Sequence, residues 1–323
     1  MDKVNVGLYG TNGHQIQNAL VNNPRAQLTA VAGFSPEALK PLLLNGSVKV
    51  YATLDVLLAD PALQLVSLCS PLRSEQARDA IRALKTGKHV YGEKPSALTE
   101  LELDEITATS RQMGRRYHEQ AGTALGQPYG AIRKIVQSGV LGEIVQVISQ
   151  KSYPWASWRP QDERIDGGLA LQAGVYNTRF VEHVAGVKIK SIVMRQTKLG
   201  NEVAGGECRR AVSMLMELAN GGLSSAIANY LCPPPPSWER WGYENVRIFG
   251  TEGFVESLDT GRVGTLALNG RPPQLVDCSD PGQDYLTLFL EEIQTNKDII
   301  PFTLEDELSP TRWVVRGRAT MQG

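Results

Sequence analysis

The stretch "HVYGEKPSALT", His89 to Thr99, ends an apolar run with a carboxylate, an ammonium and a rigid ring. The residue before a proline is pushed out of the α region, so Lys94 has little backbone freedom between Glu93 and Pro95. An ammonium held in that way at the end of a buried strand suits proton transfer, because desolvation or crowding by other charges tunes a lysine toward neutral pH. The alternative is a surface ion pair with Glu93. A second group is the turn "GTNG", Gly10 to Gly13, which follows a short apolar run. In doubly wound domains such a turn cradles a pyrophosphate on backbone N–H groups and a helix N-terminus, with the fingerprint G-x-G-x-x-G. Here Gly10 fits the first position, whereas Asn12 and Gln15 stand at the second and third. Thr11, Gly13 and His14 complete the candidate cradle. The alternative is a turn that uses glycine for its backbone conformation alone.

A third group lies in the middle of the chain. Gln172, Tyr176, Arg179 and His183 follow spacings of four, three and four, so on one helix they share a face. Such a stripe is either a cleft wall or a solvated face. The loop before it, "YPWASWRPQDERIDGG", offers the rings of Trp155 and Trp158 beside Arg159, Asp162 and Arg164. Aromatic rings among polar groups suit a sugar site and equally a subunit interface. Tyr243 and Glu244 are further candidates. No metal site is expected: His118 and His183 lack partners at ligand spacing, and the four cysteines are scattered and read as reduced thiols.

Two kinds of texture must position these groups. Up to about residue 120, short strands (Val4 to Tyr9, Leu28 to Ala32, Leu65 to Cys69, His89 to Tyr91) alternate with helices. The helices are expected from the glycine turn to about Asn22, from Ser74 to Thr86 and from Glu100 to Gly114. That alternation predicts a doubly wound parallel sheet over residues 1–120. Over 121–323 a strand from Val145 to Tyr153 and a helix from Ala170 to Val184 precede longer alternating stretches. Those stretches (212–218, 223–231 and 246–249 among them) predict an open, mostly antiparallel sheet with helices on one face. The prolines 233–236 are expected to form a loop. Two domains with a cleft between them follow. The second strand ends in Gly33-Phe34-Ser35, with neither the acid that favours NAD nor the arginine that favours NADP. Ser35 is expected to meet a ribose hydroxyl or a phosphate oxygen, and the preference stays open.

Taken in order, "GLYGTNG", "VSLCSP", "GKHVYGEKPSALT", "GGLALQAGVY", "GTEGFVES" and "TLEDELSPTRWV" resemble the Gfo/Idh/MocA family of glucose-fructose oxidoreductase and inositol dehydrogenase-like enzymes. "GKHVYGEKP" is the specific motif. The resemblance implies a Rossmann domain and an NAD(P)-dependent oxidoreductase that moves a hydride to or from a sugar, polyol or cyclitol carbon. It also implies a homo-oligomer, dimer or tetramer, through the C-terminal sheet. It puts Lys94 beside the nicotinamide and the reacting hydroxyl, with Glu93, Ser70 and Pro71 on the cofactor side. The family's D-x-G-x-H-x-x-D falls on Gln172, Gly174, Tyr176 and Arg179, so tyrosine replaces the proton-taking histidine and glutamine a carboxylate. A phenol, with an ordinary pKa of about 10, needs nearby cations to act at pH 7, and Lys94 and Arg179 are the ones expected. Trp158, Arg159, Gln172 and Arg179 become the substrate contacts. The three departures, in the glycine fingerprint, after the second strand and at the second signature, also fit a catalytically silent nucleotide-binding regulator.

The bulk composition narrows the partners. In 323 residues, 33 basic groups balance 34 acidic ones, with no basic stripe, which argues against nucleic acid or an anionic membrane as partner. The N-terminus runs straight into a strand, and no apolar run approaches the ~18 residues of a membrane span. A cytoplasmic protein with a small carbohydrate-like substrate is expected.

Overall fold

The computed structural model describes residues 2–43, 47–237, 241–258 and 263–321. They group into two compact units. Residues 1–121, 164–166 and 285–308 make one, and 122–163, 167–284 and 309–323 the other.

The first unit holds six strands: β1 (Val4–Tyr9), β2 (Ala26–Ala32), β3 (Lys49–Tyr51), β4 (Leu65–Leu68), β5 (His89–Gly92) and β6 (Tyr117–Glu119). They lie in the order β3-β2-β1-β4-β5-β6, and every pairing is parallel. Helices α1 (Pro36–Leu43), α2 (Leu54–Leu58), α3 (Gln76–Lys85) and α4 (Glu100–Met113) connect them. The strands read as continuous apolar runs because both faces of a parallel sheet are covered; Leu8, Leu65, Val66, Leu68 and Val90 are fully buried. Strand order reverses between β1 and β4, so the carboxyl ends of β1, β4 and β5 bring the glycine turn, Ser70 and Lys94 to one edge.

One expected helix is absent. After Gly13 the chain makes a single 3₁₀ turn, Gln17–Leu20, where a helix to Asn22 was expected. The amide of Gln15 is drawn back to strand-end carbonyls, and Asn22, at φ 54°, and Asn23, whose side chain accepts from Arg25 and Ala26, turn the chain away before a helix can propagate. By contrast, α4 starts on a capping box: Thr99 Oγ accepts from the Glu102 N–H and Glu102 accepts from the Thr99 N–H.

The second unit carries α5 (Tyr129–Gln137), an eight-stranded sheet and a helical segment. Its strands are β7 (Ile144–Pro154), β8 (Ile189–Thr197), β9 (Ala211–Leu218), β10 (Leu223–Cys232), β11 (Tyr243–Gly250), β12 (Gly253–Leu258), β13 (Val263–Leu268) and β14 (Gln274–Leu275). They are ordered β14-β13-β12-β11-β7-β10-β9-β8, antiparallel except between β7 and β10. The helix expected from Ala170 to Val184 is broken. After the one-turn α6 (Glu163–Asp166) come α7 (Gly168–Gln172), α8 (Gly174–Arg179) and a π-helical turn, Phe180–Val184. The break falls at Ala173 and Gly174, and a Cβ on Gly174 would stand 2.5 Å from the terminal methyl of Met214 on β9. No helix among the described residues is long and apolar enough to cross a membrane.

The chain closes with α9 (Tyr285–Thr295) and α10 (Leu304–Ala319). In the first unit, buried His118 of β6 lies between Glu292 of α9, 3.0 Å from its Nε2, and Glu307 of α10, on its Nδ1. Burial alone would lower the ring's pKa, but Glu307 and then Glu292 favour the charged form and raise it from 6.5 to about 9. A raised histidine stabilises in full below its unfolded value and loses that contribution as pH climbs through its folded value. Urea midpoints are therefore expected to fall between pH 6.5 and 9, and His118→Gln to flatten that slope. Glu307→Gln, which leaves His118 with Glu292 alone, is expected to cost about 1–3 kcal/mol in the same titration.

Candidate active site

In the first unit three of the candidate cofactor residues, Gly13, His14 and Lys94, meet around one buried carboxylate, that of Glu93. Gly10, at φ +71°, is pressed on the end of β4, where a Cβ would stand 2.1 Å from the Cys69 carbonyl oxygen. Asn12 donates its amide to the carbonyls of Ser70 and Pro71, and its N–H to Cys69. Gln15, in place of the third glycine, donates its amide to the Tyr9 and Gly10 carbonyls at 3.2 and 3.0 Å. His14 donates its N–H to Glu93 Oε2 at 2.9 Å and sets Nδ1 3.1 Å from Oε1, with its ring largely exposed. Thr11 and Pro71 lie at the surface.

Lys94 is not a surface residue: its side chain is 3 % exposed and its Nζ is 3.9 Å from Glu93 Oε1. Burial would raise the Glu93 carboxyl, but the hydrogen bond from His14, with the charges of Lys94 and Arg73, holds it at about 2. The loop is fixed from both sides. Gln76 donates its amide to the carbonyls of Leu68 and Glu93 at 3.1 and 2.8 Å. Ser96 donates N–H and hydroxyl to Glu119 Oε1, both at 2.8 Å, and accepts from Tyr117 at 2.6 Å. Two candidates have local duties. The hydroxyl of Ser70 is engaged by Asp79 at 2.9 Å, and that of Ser35 caps α1 by accepting from the Ala38 N–H. A cavity of about 710 Å³ in this unit opens at the other end of β6, where Arg111 and Arg116 are paired with Glu305 and with Glu292 and Asp298.

In the second unit the polar stripe is not solvated. Gln172 and Tyr176 are half-buried, and Arg179 and His183 are fully buried. Tyr230 donates to Gln172 Oε1 at 3.2 Å. The Tyr176 ring lies 5.7 Å from the Arg179 guanidinium and only 4.3 Å from the ammonium of Lys151, which pairs with Glu244. Arg159 is buried, donates Nε and Nη2 to the Pro154 carbonyl and stacks on Tyr230 at 3.7 Å. Trp155 is covered by Arg210, whereas Trp158, with the Arg159 guanidinium 5.2 Å from its ring, is 68 % exposed.

Sequence reasoning missed Arg73, Gln76 and Lys151. Lys151 had a signal: alternation along β7 puts it on the side of Ser149, whose hydroxyl meets Asn177 of α8, so a charge was due at an inward position. Arg73 and Gln76, in "SPLRSEQ", had none.

The first unit fits a dinucleotide. Its glycine turn leaves no room for a Cβ at Gly10, and its exposed rim offers Thr11 and His14 above the charges of Lys94 and Arg73. Sequence models of one family match both parts of the chain: the NAD-binding Rossmann fold of the oxidoreductase family over residues 4–121, and the GFO/IDH/MocA C-terminal domain over 129–256. Together they cover more than half of the chain. The chain belongs to the GFO/IDH/MocA oxidoreductase family, and its first unit is an NAD-binding Rossmann domain.

Among its relatives, the dTDP-3,4-didehydro-2,6-dideoxy-alpha-D-glucose 3-reductase of Streptomyces violaceoruber is 26% identical over 58% of this chain and 56% of its own. The match thus spans little more than half of that reductase. The myo-inositol 2-dehydrogenase of Thermotoga maritima is 23% identical over 76% of this chain and 70% of its own. The solved aldose-aldose oxidoreductase of Caulobacter crescentus, complexed with glycerol, shares the fold at TM-score 0.82 and 18% identity, covering 98% of each chain.

A Cβ on Gly13, at φ +131°, would stand 2.6 Å from Glu93 Cγ. Gly13→Ala is expected to displace Glu93 from His14 and to weaken NADH binding roughly tenfold or more, read by quenching of tryptophan fluorescence.

Proposed function

We propose that the protein transfers a hydride between a nicotinamide dinucleotide and the carbinol or keto carbon of a sugar, polyol or cyclitol. The observation that carries this reading is Lys94: a buried ammonium beside a charged carboxylate, at the carboxyl edge of an NAD-binding sheet. The dinucleotide, when bound, supplies the hydride chemistry. Lys94 holds the reacting oxygen and favours its ionised form, and Tyr176 carries the proton, with Lys151 and Arg179 beside its ring. Trp158, Arg159, Gln172 and Arg179 are proposed around the substrate. Arg159 orients the loop through its two bonds to Pro154 and its stack on Tyr230. The substrate class is supported by the sugar reductase and the inositol dehydrogenase among the relatives.

Titration with NADH and NADPH fixes the cofactor, since the end of β2 favours neither; a screen of cyclitols, polyols and sugars follows. Lys94→Ala is expected to abolish turnover with nucleotide affinity within a few-fold, and Tyr176→Phe to reduce turnover far more than substrate binding. Full activity in the lysine variant would remove Lys94 from the mechanism. Nucleotide binding without turnover on any such substrate would favour the regulator instead.

We also propose that the sheet face away from α8 joins copies of the chain. Val193, Leu215 and Ile148 are 48, 55 and 40 % exposed, and Val193 pairs with Leu215 across the strands. Leu215→Glu is expected to lower the mass measured by sedimentation to that of one chain.

A further inference from the structure

Dinucleotide sites of this architecture rest the pyrophosphate on a helix N-terminus, where the dipole supplies roughly half a positive charge. In this chain the turn is followed only by Gln17–Leu20, a single 3₁₀ turn. The backbone donors are largely engaged as well. The N–H groups of Gly10, Asn12 and Gly13 bond to Ala32, Cys69 and Thr11, and that of His14 to Glu93. Two of the usual sources of attraction for an anion are therefore weakened in the same place.

Directly under the turn lies Arg73, 1 % exposed. Its Nη2 donates to the Asn12 carbonyl at 2.5 Å and would stand 3.1 Å from a Cβ on Gly13. Its Nε and Nη1 are buried and have no hydrogen-bond partner. Among the described residues, no carboxylate forms an ion pair with it. Buried charges are as a rule paired and hydrogen-bonded, as His118 is here with Glu292 and Glu307. Arg73 shares the neighbourhood of Glu93 without an ion pair to it and leaves two N–H groups unbonded, at the one place where an anion is due.

We propose that Arg73 is the positive counter-charge of the dinucleotide phosphates, a positioning residue acting one backbone layer beneath the turn in place of a helix dipole. The inference rests on the proposed dinucleotide binding and adds the residue that supplies the charge. Its hold on the Asn12 carbonyl fixes the turn, and its full charge, shielded from water, acts on whatever phosphate rests above.

The test is binding, read by tryptophan quenching with NADH and by competition with ADP-ribose and adenosine. Arg73→Gln is expected to weaken NADH and ADP-ribose by the same factor, roughly tenfold or more, and to leave adenosine within about twofold. Arg73→Lys is expected to restore most of the loss. A glutamine variant that binds NADH like the parent overturns the proposal. So does one that loses adenosine in equal proportion, since that is the mark of a merely structural role. Should the glutamine variant not fold, Arg73→Lys decides: NADH and ADP-ribose affinities close to the parent's support the proposal, and a folded lysine variant that loses adenosine as much as NADH overturns it. A parent protein that binds neither NADH nor NADPH removes the dinucleotide reading itself, a failure distinct from that of Arg73.

Discussion

One buried negative charge organises the first unit. Glu93 is 1 % exposed, and a carboxylate at that depth persists only if the surrounding structure compensates it. The compensation comes from three separate segments: His14 after β1, Arg73 after β4 and Lys94 after β5. Those segments meet only if the three strands are parallel neighbours in the order β1-β4-β5, which is the observed order. The same carboxylate closes against Gly13, where no side chain fits. The glycine turn, the lysine and the sheet order are therefore one constraint seen from three sides.

A second polar chain braces that arrangement from behind. Ser96, two residues after Lys94, bonds to Glu119. The Glu119 N–H bonds to Glu307, Glu307 meets His118, and His118 meets Glu292, whose other oxygen accepts from Ile299 and Ile300. The C-terminal segment thereby holds the loop that carries the lysine. An apolar core would not fix direction in this way, because dispersion contacts are non-directional, whereas each bond in this chain specifies one atom pair.

The parallel sheet was legible because its strands are apolar runs between helical stretches, and Val4 to Tyr9 and Glu100 onward fall where the pattern puts them. The open sheet of the second unit was legible from alternation. The short α1, β3 and α2 were not, since elements of eight, three and five residues repeat too few times to show a pattern. The helix after the glycine turn failed because Gln15 bonds backward rather than joining a ladder. Of the candidate site, the glycine turn, Glu93 and Lys94 were legible as a motif. Arg73 and the closing carboxylates act across long sequence separations, and Gln76 through backbone carbonyls that no pattern marks, so only the fold reveals them.

The departures from the glycine fingerprint take on a different weight in that light. A side chain at a glycine position harms a turn when it is bulky and unpaired. Here Asn12 is bonded to Ser70 and Pro71, and Gln15 to Tyr9 and Gly10, so each polar replacement ties the turn to a strand end. Gly10 and Gly13, the two positions where a Cβ would collide with the carbonyl of Cys69 or with Glu93, have kept their glycines. What the turn has given up is not its shape but its donors and its helix, and those concern charge. A chain that rigidifies the turn through amides while burying beneath it a guanidinium with two unbonded N–H groups has the two requirements of a phosphate site, form and positive potential, from different residues.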